Sequence, residues 1–174
     1  ITGTYESTTI ELTSFCNLSC PLCPVARDAN TMDRERKMIT REDFEKIIRL
    51  SGKISQSFVM SMWGEPLLHK EFGALLDIAL AERKPIWIST NLNYSARLAE
   101  RLAEHPLLHV ICSLDGWDEE SYKSYRLGGR WDRVNENLAI LAKGECNVYP
   151  QFLINSGNQK HVETMRAYCD SHGL

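Results

Sequence analysis

The chain has 174 residues, a formal net charge of -3, 43% hydrophobic residues and 25% charged residues, the proportions of one globular domain able to bury a real core. This charge gives no electrostatic reason to expect a nucleic acid or an anionic membrane as partner. No apolar run approaches the roughly 18 residues of a membrane span, and residues 1–6 lack the basic start and apolar stretch of a signal peptide.

The first strand pattern covers residues 8–13, with Ile10 and Leu12 on one face and Thr9 and Glu11 on the other. The mixed charges of residues 27–46 read as a solvated loop and helix face. Within them Thr40-Arg41-Glu42-Asp43 resembles a capping box, followed by the apolar stripe Phe44, Ile47 and Ile48 and a stop at Gly52. A second strand is expected over 58–62. Phe72, Leu75, Leu76, Ala79 and Leu80 then keep the i, i+3, i+4, i+7, i+8 spacing of an amphipathic helix. The third strand pattern is 86–89, and Ser95 can cap a helix carrying Leu98 and Leu102 that Pro106 ends. The fourth strand is 109–113, followed by a helix with Val134, Leu138 and Leu141 that Gly144 stops. The fifth is 149–154, followed by a helix with Val162, Met165 and Cys169 that Gly173 stops. Met60, Trp87 and Cys112 read as core.

Strands two to five are short apolar runs, as in parallel sheets. Five strand–helix units in a row predict an α/β fold with a parallel sheet and right-handed crossovers. A closed eight-unit barrel needs about 250 residues. An open, partial parallel β/α barrel of about five units is therefore expected, with an open doubly wound sheet as the alternative.

Of six cysteines, Cys112, Cys146 and Cys169 are scattered, while Cys16, Cys20 and Cys23 fall within eight residues. A tight cluster of this kind reads as metal binding in a reducing compartment rather than a disulfide framework, hence a cytoplasmic setting. The spacing is Cys-x3-Cys-x2-Cys, after strand one. Three thiolates on one short loop can reach three corners of a cubane iron–sulfur cluster. Such clusters usually take four thiolates, so one iron is left open to an exogenous molecule. Two other readings stay open: a zinc site with Cys112 or a His as a distant fourth ligand, and an electron-carrying cluster. Zinc loops more often pair cysteines in twos, and no second pair exists here.

The cysteine motif resembles the signature of the radical S-adenosylmethionine (radical SAM) superfamily. Trp63-Gly64-Glu65-Pro66, after strand two, is similar to the family's Gly-Gly-Glu-Pro motif. The resemblance implies that Gly64, Glu65 and Pro66 receive the amino group of SAM. It implies that Asn91 lies near the adenosyl moiety, and that Ser113 and Asp115 face the ribose hydroxyls or the methionine end. Asp115 suits a helix cap equally well. Leu22 stands where the family often has an aromatic near adenine. Tyr125-Arg126-Leu127-Gly128-Gly129-Arg130-Trp131 resembles a segment of members with a SPASM or twitch extension, where an Arg faces the SAM carboxylate. Arg126 is the first choice for that role and Arg130 the second. Gln151 and Asn155 are placed to line the cavity or to satisfy loop backbone.

The resemblance implies two cofactors, a 4Fe–4S cluster on Cys16, Cys20 and Cys23, and SAM. It implies reductive cleavage of SAM to a 5′-deoxyadenosyl radical that abstracts hydrogen from a substrate. The Trp63 variant points to a peptide or protein in a maturation pathway, with small molecules open. A flavodoxin or ferredoxin would serve as electron donor. Residues 1–174 would form the core domain. A sixth strand–helix unit and any auxiliary-cluster domain would lie beyond Leu174, because Cys146 and Cys169 lack auxiliary-cluster spacing.

Overall fold

The computed structural model describes residues 4–26 and 31–174, so the first four residues of the charged run, 27–30, lie outside the described part. The elements in order are β1 (Tyr5–Thr9), α1 (Arg41–Ser51), β2 (Ser55–Val59), α2 (Phe72–Leu80), β3 (Ile86–Thr90), α3 (Ala96–Ala103), β4 (Leu108–Ser113), α4 (Glu119–Tyr125), α5 (Trp131–Ala142), β5 (Asn147–Gln151) and α6 (Val162–Ser171). All neighbouring strands are parallel, and the sheet order is β1-β2-β3-β4-β5. A sequential order has no switch point. Right-handed crossovers then carry every helix to the same face of the sheet. The doubly wound alternative is excluded, and the sheet is the wall of an open β/α barrel.

Burial follows the pleat. In β3, Ile86, Ile88 and Thr90 are buried while Trp87 and Ser89 are half-buried. In β4, Leu108, Val110 and Cys112 are buried. These positions join Phe44 and Ile48 of α1, Leu75 and Leu76 of α2, Leu102 of α3 and Leu138 and Leu141 of α5 in one core. Met60 and Cys112 take the expected core places. Trp87 does not: it belongs to the concave face, stacked on His109 with centroids 4.2 Å apart and beside Tyr149 at 5.3 Å. Its neighbours Ile86 and Ile88 already occupy the helix side, and the period of two sends Trp87 to the other.

The two edge strands, and β2 expected at 58–62, sit two to four residues earlier in the chain than the hydrophobic pattern suggests. β1 is largely exposed along its length, so hydropathy does not mark it. Ile10 and Leu12 are buried just past its end, and Ile10 N still donates to Val59 O at 2.8 Å. β5 contains Pro150, which an edge strand tolerates because one side of its ladder is free.

Thr40 caps α1 as expected, its Oγ1 accepting from Asp43 N at 3.1 Å. Helix α4 has no counterpart in the sequence reading, since seven polar-rich residues carry no apolar stripe. Its capping box explains it: Asp118 accepts from Ser121 N at 2.8 Å, and Ser121 Oγ accepts from Asp118 N at 3.1 Å. No helix among the described residues is long and apolar enough to cross a membrane.

Candidate active site

The loops at the carboxyl ends of the five strands surround one cavity of about 570 Å³. That is the end at which parallel β/α barrels build their sites. Cys16, Cys20, Leu22 and Cys23 reach it from the loop after β1. Gly64 and Glu65 come from the turn after β2, Asn91 from β3, Ser113 and Asp115 from β4, and Arg126 from the end of α4. Gln151 lines it from β5. Pro66 does not; it is buried as the first residue of a 3-10 turn, Pro66–Leu68. Asn155 faces a neighbouring cavity with Asp118 and His161, and exposed Arg130 pairs with Asp132.

The cysteine loop is tied to the barrel at several points. Ser14 N donates to Lys37 O at 3.0 Å, and Ser19 N donates to Leu127 O at 2.9 Å. Three donors approach its sulfurs: Leu18 N at 3.5 Å and Asn91 Nδ2 at 3.7 Å from Cys16 Sγ, and Arg126 Nη1 at 3.9 Å from Cys20 Sγ. Burial pushes the Cys16 thiol up to about 11 and also raises Cys20. No three Cys, His, Asp or Glu side chains among the described residues converge on a single ion. Three sulfurs spread around a cavity suit a cluster in which each thiolate binds its own iron.

Gly64 is required by contact as well as by conformation. Its φ is +77°, and a Cβ there would stand 2.3 Å from Thr13 O and 2.7 Å from Phe15 O. The next residue docks the turn on the cysteine loop through Glu65 N to Phe15 O at 2.8 Å. The Glu65 carboxylate is buried and accepts from Leu67 N at 3.3 Å, Thr90 Oγ1 at 2.8 Å and Asn91 N at 2.8 Å. Burial raises its pKa to about 7 against the lowering effect of those bonds. Two donors reach Oε1 and one reaches Oε2, which leaves an acceptor position on Oε2.

An asparagine network links the strand ends. Asn91 Nδ2 donates to Asn17 Oδ1 at 2.9 Å, and Asn17 Nδ2 donates to Asn93 O at 2.9 Å. Asn93 Nδ2 donates to Tyr122 Oη at 2.7 Å. Fully buried Asn137 donates to Leu92 O at 2.9 Å and Tyr94 O at 3.0 Å. Sequence reasoning selected Asn91 and missed Asn17, Thr90, Asn93 and Asn137. The available signal was the Thr90-Asn91-Leu92-Asn93 run, dense in side chains that bond to nearby backbone.

Asp115 is not a helix cap. It sits in the left-handed region with φ 59°, and its Oδ1 accepts from Leu153 N at 2.6 Å. Its Oδ2 meets Arg126 Nη2 at 2.5 Å. That contact is an ion pair, and Asp115 Oδ2 and Arg126 Nε are both buried without a hydrogen bond. Burial works against the Arg126 charge, but the charges of Asp115 and Cys20 outweigh it and raise its pKa. Unsatisfied buried polar atoms on a cavity wall are the expected mark of a missing polar ligand.

Residues 10–166 match the family model described as the Radical SAM superfamily. The chain belongs to the radical SAM superfamily. Among curated relatives, the probable GTP 3′,8-cyclase of Methanocaldococcus jannaschii is 33% identical over 172 residues, which is 97% of this chain and 56% of the relative. The GTP 3′,8-cyclase of Listeria monocytogenes is 30% identical over 131 residues, 74% of this chain and 39% of the relative. Streptococcus suis SuiB bound to S-adenosylmethionine superposes with a TM-score of 0.79 at 20% identity, covering 99% of this chain and 39% of SuiB. This radical SAM chain thus spans about half, or less, of the length of the relatives it matches. The family's cofactors are a 4Fe–4S cluster and SAM.

Proposed function

We propose that Cys16, Cys20 and Cys23 hold a 4Fe–4S cluster and that the adjoining cavity binds SAM. One observation carries this reading: the three sulfurs and the polar groups of four later loops line the same cavity. When bound, the cluster supplies the electron that cleaves SAM to methionine and a 5′-deoxyadenosyl radical, which abstracts hydrogen from the substrate. The protein's own work is binding and orientation. Glu65 Oε2 has the vacant acceptor position for the SAM ammonium. Arg126 Nε is the donor without a partner, placed for the carboxylate. Asp115 Oδ2 and Ser113 Oγ offer acceptors to the ribose hydroxyls, and Asn91 holds the adenosyl end. Leu22, 73% exposed at the rim, supplies apolar cover for the adenine. Pro66 acts through the turn that sets Glu65.

For the substrate we infer a peptide or protein. Arg126 is the cationic side chain on the cavity wall among the described residues, and Asp115 engages it. Leu22, Leu153 and Ile154 make the rim apolar. That supports an apolar side chain better than a triphosphate. The second reading is a purine nucleotide, favoured by the curated relatives' name. A flavodoxin or ferredoxin in a reducing cytoplasm would supply the electron, and residues 1–174 act as the core domain.

The test is anaerobic reconstitution with iron and sulfide, followed by dithionite and SAM. The expected result is about four irons per chain and 5′-deoxyadenosine formation. Product no higher than in a Cys16→Ala, Cys20→Ala, Cys23→Ala variant would sink the proposal. Stimulation of turnover by GTP but by no peptide would favour the nucleotide reading.

A further inference from the structure

We infer that Asp115 is a positioning residue that holds Arg126 against the Cys20 sulfur, and that the pair makes a cluster on Cys20 easier to reduce. The inference rests on the cluster reading above.

The geometry is a chain of three groups. Asp115 Oδ2 lies 2.5 Å from Arg126 Nη2, and Arg126 Nη1 lies 3.9 Å from Cys20 Sγ. The two charged side chains are 2% and 16% exposed. Asp115 is itself held from two sides. Its backbone occupies a conformation that non-glycine residues rarely adopt, and Leu153 N donates to Oδ1 at 2.6 Å. The segment bearing the cation is also fastened: Arg126 N donates to Tyr122 O at 2.8 Å, and Leu127 O accepts from Ser19 N in the cysteine loop at 2.9 Å. These backbone bonds fix the start of the Arg126 side chain relative to the cysteine loop, and the Asp115 contact sets where its guanidinium lies.

Reduction adds one negative charge to a cluster. A cation and an N–H donor at a ligating sulfur stabilise the reduced form more than the oxidised one, and burial strengthens the effect by excluding water. Asp115 carries the opposite charge, so its two effects differ in sign. As a bare charge it would make reduction harder. As the anchor of Arg126 it makes reduction easier. Without its Oδ2 charge the guanidinium loses its ion-pair partner and can swing away from Cys20 into the open cavity. Asp115→Asn keeps the size and an acceptor for Leu153 N while removing that charge, and so separates the two effects.

The test is an EPR-monitored redox titration of the reconstituted 174-residue chain without SAM, with iron content measured on each sample. Arg126→Gln is expected to weaken reduction by about tenfold, a fall of about 59 mV for a one-electron couple. Asp115→Asn is expected to lower the midpoint in the same direction by a smaller amount. Arg126→Lys, which keeps the charge and loses the fork, is expected to fall between wild type and the Gln variant. If Arg126→Gln assembles no cluster, the Lys and Asp115→Asn variants carry the same sign test. A rise in Asp115→Asn, or an unchanged midpoint in the Arg126 variants, overturns the inference while leaving the cluster reading intact. A wild-type chain that holds no four-iron cluster overturns the cluster reading, and this inference with it.

Discussion

Glu65 Oε2 accepts the backbone N–H of Asn91 at 2.8 Å, so the turn after β2 and the end of β3 share one buried carboxylate. The same carboxylate takes Thr90 Oγ1 and Leu67 N. Glu65 is thereby both part of the cavity wall and the joint between two of its loops.

The raised Glu65 pKa makes stability depend on pH. The folded value, about 7, lies above the ordinary 4.5. Between these values the folded chain keeps a proton that the unfolded chain has lost. This group therefore contributes most below about pH 4.5, and its contribution falls as pH rises to about 7, then levels off. The full drop is expected to be roughly 3–4 kcal/mol. Glu65→Gln should flatten this slope and cost about 1–3 kcal/mol, because an amide turns a donor toward one of the three donors around it. Urea midpoints measured from about pH 5 to about pH 8 decide the matter. A wild-type midpoint that rises relative to that of Glu65→Gln across that range contradicts the sign.

Gly64→Ala should displace the cysteine loop. A side chain at φ +77° costs about 1–2 kcal/mol by itself. The larger effect comes from the backbone oxygens of Thr13 and Phe15, which cannot yield without moving the loop that begins at Cys16. Iron retained after desalting is expected to fall well below one cluster per chain while circular dichroism stays near wild type. Full iron loading in the variant would show that the loop tolerates the shift.

Asn137→Ala removes the donors to Leu92 O and Tyr94 O and leaves two buried carbonyls without them. The expected loss is about 2–4 kcal/mol, from unsatisfied backbone plus a cavity. Chemical denaturation measures it. Because the loop so released begins at Asn91, SAM affinity measured by calorimetry should weaken as well.

Asn17 and Asn91 should prove coupled. Each single change to Ala breaks the 2.9 Å bond between them, so the double variant should lose less than the sum of the two. A coupling of about 0.5–3 kcal/mol in a double-mutant cycle on stability is expected. Strict additivity would remove the bond from the account of the site.

The place of the cysteine loop at the cavity was legible because its information is local: three sulfurs, their spacing and the strand before them lie within one stretch of chain. The Gly64-Glu65-Pro66 turn and the helix stripes of α1 and α2 were legible for the same reason. Helix α4 was not, since its signal is a capping box on a polar segment. β1 was placed late because an edge strand with exposed side chains carries no hydropathy pattern. The partners of Glu65 and Asn91 were invisible. Asn17 and Asn91 lie 74 residues apart, and only the pairing of the strands brings them together.

Read alone, the sequence determined the run of strand–helix units, the parallel sheet they imply and the placing of its conspicuous motifs in the loops after the strands. Periodicity and turn chemistry are properties of neighbouring residues, and they suffice for that much. Only the tertiary structure decided the rest. Sequential strand order excluded the doubly wound sheet. The pleat turned Trp87 to the concave face rather than the core. Asp115 took Leu153 N and Arg126 instead of a helix N-terminus. Each of these outcomes depends on which distant groups compete for the same space or the same hydrogen bond, and that competition begins only when the strands are side by side.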